Sequence, residues 1–462
     1  MHVMDAETAQ GRIGVRPPSP KKRSSQIEPV TAPDVTITSA TYGEEPLVQN
    51  LFRRSGFDVG TAEYLSQIEK PGYQPTQRLL LRRGSDVIGH LKLEDRPTRF
   101  AETWIPIAAF TECVAEPSIA STGLMDSVWE IAEATAQSFG AWGALSDRFV
   151  PQDREEQGWV QLEQPHELEV CPRQLLAQIR SNKTPRRTLL ETIQESPEPS
   201  RSIQIWRQVE QSSLRPLYDV HCRFTSGPRE RSSDYWRWLT ARRGFDQIYI
   251  SVEKEDAGCV TGLARTISGY AVVRGSLILE LAAATPEIER DLIERVCRDA
   301  IEQTYCSIRL LPLPPIDPRH DSLTKLAVAA GARSCEADPA CIKIFHPVRF
   351  LDRLRPLIGQ RSRKAGLKPK TELGFHIANR KFQLICGDDS VQLVPNRLGR
   401  SYLTLTRSDF VRLILGNLDL SCCLESGQAK ASTQLAEETA AAIFPRSSWW
   451  ISPWDSVPAI ND

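Results

Sequence analysis

The stretch 103–140, TWIPIAAFTECVAEPSIASTGLMDSVWEIAEATAQSFG, decides the fold. Its first part clusters apolar residues as a buried strand does, and Pro117 with the small residues SIASTG then marks a turn. An amphipathic helix follows and ends at Gly140. A strand that leads through a small-residue turn into a helix can hold a pyrophosphate, because the first N–H groups of a helix lack partners. The stretch therefore predicts an α/β fold with an anion site.

Helices and strands alternate on both sides of this stretch. A hairpin, QRLLLRRGSDVIGHLKLED, precedes it, and the strand WVQLE follows it after Gly158. A second block repeats this order, with a helix, RSSDYWRWLTARR, that begins at Ser232 or Ser233 and another that Thr285 caps ahead of Pro286. From about residue 350 the pattern changes to strand pairs and helices of an α+β domain. We expect a disordered tail at 1–34, α/β domains at 35–170 and 201–348 joined by a connector at 171–200, and an α+β domain at 349–462.

Composition excludes several classes of function. The 462 residues are 40% hydrophobic and 25% charged, with a formal net charge of −1, so the chain is not an electrostatic binder of nucleic acid or membranes. No apolar run reaches the roughly 20 residues of a membrane span. The 11 cysteines form no CxxC pair, which predicts reduced thiols and a cytoplasmic protein, and the seven histidines show no metal-ligand spacing, so no metal is expected.

Four motifs resemble the tripartite GNAT acyltransferases of the enhanced-intracellular-survival family. They are CVAEPSIASTGLMDSVW, QGW at 157–159, RSSDYWRWLTARRGFDQIYISV and YLTLTRSDFVRLILG. The resemblance implies two GNAT-like mixed-sheet domains followed by a sterol-carrier-protein-like α+β domain. It also implies acetyl-CoA as co-substrate and an amine acceptor, either a small molecule or a peptide, and it leaves a homo-oligomer open.

The resemblance also assigns a cofactor site in the first domain. The fourth strand of the family bonds the pantetheine arm through its backbone, and the turn after it binds the pyrophosphate. The cofactor-binding residues implied here are Cys113, Val114, Ser118, Ala120, Ser121, Thr122, Gly123 and Leu124. The turn departs from the family pattern, because Ala120 replaces an arginine or glutamine and Met125 replaces a glycine or alanine. Backbone N–H groups are expected to hold the phosphates without that arginine, while Met125 is expected to crowd their approach.

The catalytic residues of the family are harder to match. Arg154 stands where relatives have a tyrosine acid, and no tyrosine occurs between Tyr73 and Tyr218. Glu112 is the candidate base on the fourth strand, although a partly exposed glutamate near a strand end is the alternative. Asp462 offers the terminal carboxylate that relatives use, or else ends a frayed segment. Two hypotheses follow: an acetyl-CoA-dependent N-acyltransferase with an atypical site, or a catalytically degenerate GNAT-fold protein that binds CoA, a lipid or a protein partner.

Three further features carry weaker expectations. Glu287, Glu289 and Asp291 open the matching helix of the second domain and would repel a phosphate, so no cofactor site is expected there. The basic run at 353–370 predicts a solvated interdomain linker, with contact to the CoA 3′-phosphate as the alternative. The tryptophan-rich segment at 447–454 could line an apolar pocket, or it could pack a domain interface.

Overall fold

A computed structural model gives the architecture of most of the chain. It describes residues 31–32, 34–57, 60–119, 123–146, 157–163, 166–183, 201–208, 211–223, 225–253, 266–311, 318–335, 340–387, 390–447 and 449–456. The expected disordered tail lies outside these residues except at its end, where Thr31–Ala32 pairs as a short strand. Three mixed or largely antiparallel sheets with covering helices confirm the expected α/β and α+β class.

The first unit is built on an eight-stranded sheet with the order β1-β2-β3-β4-β5-β6-β15-β7. Its strands are β1 (Thr31–Ala32), β2 (Val35–Ser39), β3 (Arg78–Arg83), β4 (Asp86–Phe100), β5 (Thr103–Ala115), β6 (Gly143–Ser146), β7 (Trp159–Leu162) and β15 (Ala340–Ile344). Its helices are α1 (Glu45–Arg54), α2 (Thr61–Ile68), a 3-10 turn (Pro75–Gln77) and α3 (Leu124–Ser138). The predicted hairpin is confirmed, and it turns between β3 and β4 at Gly84, whose φ of +60° favours glycine.

The second unit is built on a seven-stranded sheet with the order β14-β8-β13-β12-β11-β10-β9. Its strands are β8 (Glu167–Val170), β9 (Arg201–Ile205), β10 (Gln247–Glu253), β11 (Ile267–Arg274), β12 (Leu277–Ala283), β13 (Ile308–Leu310) and β14 (Arg333–Cys335). Its helices are α4 (Pro172–Lys183), α5 (Gln211–His221), α6 (Ser233–Ala241), α7 (Pro286–Glu302) and α8 (Pro318–Ala329). Ser232 and Thr285 cap α6 and α7 as predicted.

The first two units exchange a strand. β15 comes from the end of the second block, yet it lies between β6 and β7 of the first sheet and is antiparallel to both. Conversely, β8 follows β7 in sequence but lies between β13 and β14 of the second sheet. Each sheet is therefore completed by a strand from the other half of the chain.

The third unit is a five-stranded sheet with the order β18-β17-β16-β19-β20. Its strands are β16 (Thr371–Ile377), β17 (Arg380–Cys386), β18 (Val391–Pro395), β19 (Tyr402–Leu405) and β20 (Lys430–Ala431). Its helices are α9 (Pro347–Arg353), α10 (Arg355–Lys364), α11 (Arg407–Ile414), α12 (Leu420–Glu425) and α13 (Gln434–Ile443). The prediction of a solvated linker at 353–370 is wrong for most of that range. Helix α10 occupies much of it, and its buried Ile358 packs into the core of this unit.

The tryptophan-rich segment packs between units, which was the second of the two alternatives. Trp449 is buried in the core of the third unit and contacts Phe100 of β4. Trp450 and Trp454 are buried in the core of the second unit. Trp454 is the second residue of the short helix α14 (Pro453–Ser456). The last described residues therefore pack against all three units. Among the described residues, no helix is long and apolar enough to cross a membrane.

Candidate functional site

A β-bulge interrupts the strand that leads toward α3. His90 of β4 lies opposite Val114, and the next residue, Leu91, then faces two residues of β5, Glu112 and Cys113. Glu112 has a φ of +50°, which is uncommon for a residue with a side chain. A bulge of this kind bends a strand and takes peptide groups out of the sheet ladder. Backbone groups near Cys113 are thus placed differently from those in a regular strand.

Buried charged side chains hold the bulge. His90 donates from Nδ1 to the carbonyl of Glu112 (2.8 Å), so its Nε2 accepts from Arg78 Nη1 (3.0 Å). The same Arg78 nitrogen donates to Glu112 Oε2 (2.5 Å), and Lys92 Nζ lies 3.3 Å from the other carboxylate oxygen. Both the main chain and the side chain of Glu112 are therefore fixed from β3 and β4.

The electrostatics of this cluster set the protonation states. Burial alone would raise the pKa of Glu112, but the charges of Lys92 and Arg78 lower it to about 2. Burial and the charge of Arg78 lower the pKa of His90 to about 3. At neutral pH Glu112 is ionised and His90 is neutral, which is the state that their hydrogen bonds require. The Glu112 side chain is 16% exposed and lies near the end of β5, which agrees with the alternative of a partly exposed glutamate near a strand end.

The charged cluster continues into the second unit. Glu94 of β4 accepts from Lys70 (2.7 Å) and Lys92 (2.9 Å), and Arg229 of the second unit donates to it at 3.1 Å. Burial lowers the pKa of Lys70 to about 7, despite the opposing charge of Glu94. The guanidinium of Arg229 also lies 4.6 Å from the ring centroid of Tyr235. A row of buried charges therefore joins the bulge to the interface between the units.

The structure places several predicted cofactor residues at the carboxyl end of β5 and at the start of α3. Cys113 and Val114 lie in and after the bulge, and Ser118 is exposed in the turn that follows β5. Gly123 is the N-cap of α3 with a φ of +72°, and Leu124 is the first residue of the helix. No side chain caps this helix start within the described residues. Ala120, Ser121, Thr122, Arg154 and Asp462 lie outside the described residues.

Met125 does not take the position that was expected of it. Its sulfur lies 2.9 Å from the point where a Cβ on Gly89 would stand, so the side chain packs inward over β4. Gly89 has no side chain, so it leaves space for this methionine. Met125 therefore packs against the core and does not crowd the turn. The nearest atom to a Cβ built on Gly123 is Asp126 Oδ2, at 3.6 Å. The helix start could therefore hold a phosphate by backbone N–H groups, with a carboxylate close by that opposes it.

Sequence reasoning missed the residues that hold the bulge. His90, Lys92 and Glu94 occupy alternate positions of β4 and so share one face of the strand. Such a row of polar residues predicts a solvent-facing side, but all three are buried against the network that Arg78 joins. The available signal was that Lys92 and Glu94, which carry opposite charges, are neighbours in this row, as members of a buried ion-pair network must be.

Comparisons with known proteins bear on this geometry. No protein-family model and no curated protein matches the chain. Solved structures do match it over nearly their whole length. A probable N-acyltransferase of unknown function from Enterococcus faecalis has a TM-score of 0.68 at 10% identity, with 90% of this chain and 98% of that chain covered. The chain has the GNAT fold.

Two further GNAT structures support the same conclusion. A GCN5-related N-acetyltransferase from Anabaena variabilis has a TM-score of 0.65 at 14% identity, covering 90% of this chain and 99% of that one. The protein Eis1 from Mycobacterium abscessus has a TM-score of 0.59 at 13% identity over the same shares. The predicted resemblance to GNAT acyltransferases, including a protein of the Eis type, is therefore confirmed at the level of fold. In the described residues no group of three or more potential ligands is arranged to hold a metal ion.

Proposed function

We propose that the first unit binds acetyl-CoA along β5 and α3 and transfers the acetyl group to an amine. The observation that carries the proposal is the fixed bulge at Glu112 and Cys113, which lies on the strand that leads to the helix start at Gly123. The resemblance to GNAT acyltransferases implies a thioester beside this strand and a pyrophosphate beside this helix. The amine acceptor is a small molecule or a peptide.

The bulge supplies a reason for the acyl group to bind at this place. The Glu112 carbonyl points toward His90, and in a trans peptide the N–H of the next residue, Cys113, points the opposite way. In the proposed complex this N–H donates to the thioester oxygen. Fixed donors of this kind stabilise the negative charge that develops on that oxygen when the amine attacks.

The proposed reaction uses the free amine as nucleophile. Its nitrogen forms a bond to the thioester carbon, the carbon–sulfur bond then breaks, and CoA leaves as the thiolate. The amine nitrogen loses one proton to solvent, and solvent returns one to the sulfur. Glu112 is a poor proton acceptor at neutral pH because its pKa is about 2, so its part here is to hold the bulge. A role for the Asp462 carboxylate stays a prediction.

The fixed position of Glu112 also supports the alternative, a GNAT-fold protein that binds CoA without catalysis. A carboxylate locked between Arg78 and Lys92 is unavailable as a general base, and the sequence offers no tyrosine at the usual acid position. Such a unit could bind CoA without turnover. The same proposal includes the division of the chain into domains at 35–170, 201–348 and 349–462. It also includes a sterol-carrier-like fold for the third unit.

Calorimetric titration with acetyl-CoA tests the proposal, followed by an assay of thiol release with a panel of amines. We expect binding to the unmodified protein and its loss in Gly123→Trp, where an indole blocks the helix start. Gly275→Trp is the matched control, because that glycine also has a positive φ but lies in a hairpin of the second unit. Absence of heat with the unmodified protein would contradict acetyl-CoA binding. Binding without thiol release would favour the degenerate alternative.

A further inference from the structure

A cavity lies where the third unit meets the end of the exchanged strand β15. Its volume is about 670 Å³, within the range of sites that take small organic ligands. The residues that line it come from the segment between β15 and α9, from the turn between β16 and β17, and from the start of α11. It lies beyond Ile344 of β15, which pairs with Gly143 at the start of β6. The bulge lies toward the other end of that sheet, since Ser146 at the end of β6 pairs with Phe110.

The rim of the cavity is strongly basic. Arg349, Arg380 and Arg407 come from three different elements and all line it. Within the described part of the chain none of the three forms an ion pair, whereas their neighbours Arg355 and Arg412 pair with aspartates. None of the cavity-lining residues is acidic. Three arginines therefore line one space in which no lining residue supplies a counter-charge.

His346 reports the positive potential of this space. It lines the cavity, and burial together with the charges of Arg349, Arg407 and Arg353 lowers its pKa. At neutral pH it is the neutral imidazole, so it adds a hydrogen-bonding group without further charge. An anion that entered the cavity would be attracted by the arginines and could accept their fork-shaped N–H groups.

The floor of the cavity is apolar. Phe345, Ile377, Phe382 and Phe410 line it, and each is buried. A free inorganic anion would leave this surface without a partner. A purely apolar ligand would leave the arginines without one. The lining therefore matches a molecule that has both an anionic head and an apolar body.

We propose that this cavity binds a single-chain anionic amphiphile, with a carboxylate or phosphate head held by Arg349, Arg380 and Arg407. The apolar chain lies on the floor formed by the three phenylalanines and Ile377. This site is separate from the bulge and does not depend on acetyl transfer. Both head groups share the chemistry that the arginines recognise, so the probes below distinguish between them.

The test is calorimetric titration of the full chain with four probes, each kept below micelle formation. They are dodecanoate, dodecyl phosphate, dodecanol and inorganic phosphate. We expect at least one of the two anionic amphiphiles to bind at least tenfold more tightly than both dodecanol and inorganic phosphate. The stronger of the two identifies the head group. Equal binding of dodecanol, or no binding of either anionic amphiphile, would overturn the proposal.

Variants locate the site. The double variant Arg349→Gln with Arg407→Gln should weaken binding of the preferred amphiphile at least tenfold, while Arg397→Gln should not, since that exposed arginine of the same unit does not line the cavity. Val348→Trp should also block binding, because it places an indole in the cavity without removing a charge. Thermal unfolding checks that each variant is folded. Unchanged affinity in folded samples of both the double variant and Val348→Trp would place the ligand elsewhere and overturn the proposal.

Discussion

The first and second units each place a glutamate on the strand that precedes a long helix, yet they treat it differently. Glu280 of β12 is fully buried and accepts two hydrogen bonds from Arg231 (2.9 and 2.7 Å) and one from Tyr270 (2.6 Å). Glu112 of β5 keeps part of its side chain exposed and lies in a bulge with a positive φ. Glu280 is buried together with its hydrogen-bond partners, whereas Glu112 lies in the bulge with a partly exposed side chain.

The helix starts differ in the same sense. In the second unit Thr285 Oγ1 accepts from the N–H of Ile288, Pro286 lacks an N–H, and Glu287 lies in the first turn. In the first unit Gly123 precedes α3, and no side chain caps the helix within the described residues. The helix start thus has a side-chain cap in the second unit, whereas the described residues supply none at the start of α3. A ligand is therefore expected at the start of α3 and not at the start of α7.

The free energy of unfolding should fall most when the buried Glu280 loses its arginine. Arg231→Met leaves Glu280 and Asp455 buried without their cation, so the free energy of unfolding should fall by about 3 to 5 kcal/mol. Urea unfolding measures the change, and acetyl-CoA affinity of the folded fraction should stay the same. Arg237→Met is the control, because that pair is largely exposed and contributes little. Equal losses in the two variants would show that the buried pair does not stabilise the second unit.

Arg78→Met should cost less stability but change the site. Glu112 keeps Lys92 and some solvent, so we expect a loss of about 2 to 3 kcal/mol in the free energy of unfolding. The bulge loses one of its clamps, and acetyl-CoA affinity should fall in calorimetric titration. If affinity is unchanged while stability falls, the cluster around Glu112 is structural, as in the second unit.

His90 should make stability depend on pH. It is neutral in the folded state with a pKa of about 3, whereas an unfolded histidine titrates near 6.5. The unfolded state therefore binds more protons below pH 6.5, and the stabilisation present above that pH is lost as the pH falls toward 3, by up to about 1.4 kcal/mol per pH unit. Urea unfolding between pH 7 and pH 5 should show a shallower slope in His90→Asn. An unchanged slope would mean that His90 takes up its proton over the same pH range in the folded and unfolded protein.

The smallest effect is expected at the capped helix start. Thr285→Ala removes the N-cap hydrogen bond of α7 and should lower the free energy of unfolding by about 1 kcal/mol. Thermal or urea unfolding detects this change. Acetyl-CoA affinity should be unaffected, because no cofactor is proposed for the second unit. A clear fall in affinity would contradict the assignment of the site to the first unit alone.

Local signals in the sequence predict much of the fold. Thr285 with Pro286 marks the start of α7, and Gly84 with Ser85 marks a hairpin, because caps and turns depend on a few adjacent residues. The strand exchange could not be predicted in this way. β8 and β15 are short, and their partners lie far away along the chain, so no periodic pattern specifies which sheet they join.

The candidate site was predictable only in part. The strand–turn–helix pattern located Cys113, Val114 and Gly123, since the motif is continuous in sequence. The residues that hold the bulge could not be found from the sequence pattern. The alternation of side chains shows that Arg78 and His90 lie on strands with apolar residues, but it does not show which face of the sheet other elements cover. The residues that cover this face come from a separate helix. One of them is Tyr64, whose ring centroid lies 4.9 Å from Cζ of Arg78.

The position of β15 also governs how the protein can be made. The ribosome reaches this strand roughly 180 residues after β7, a delay of about 10 to 40 seconds at ordinary rates of synthesis. Until then β6 and β7 emerge without the strand that separates them, and their unpaired edges are open to aggregation. A message truncated before residue 340 would therefore yield a nascent chain in which even the first sheet is incomplete, although all its other strands had been translated.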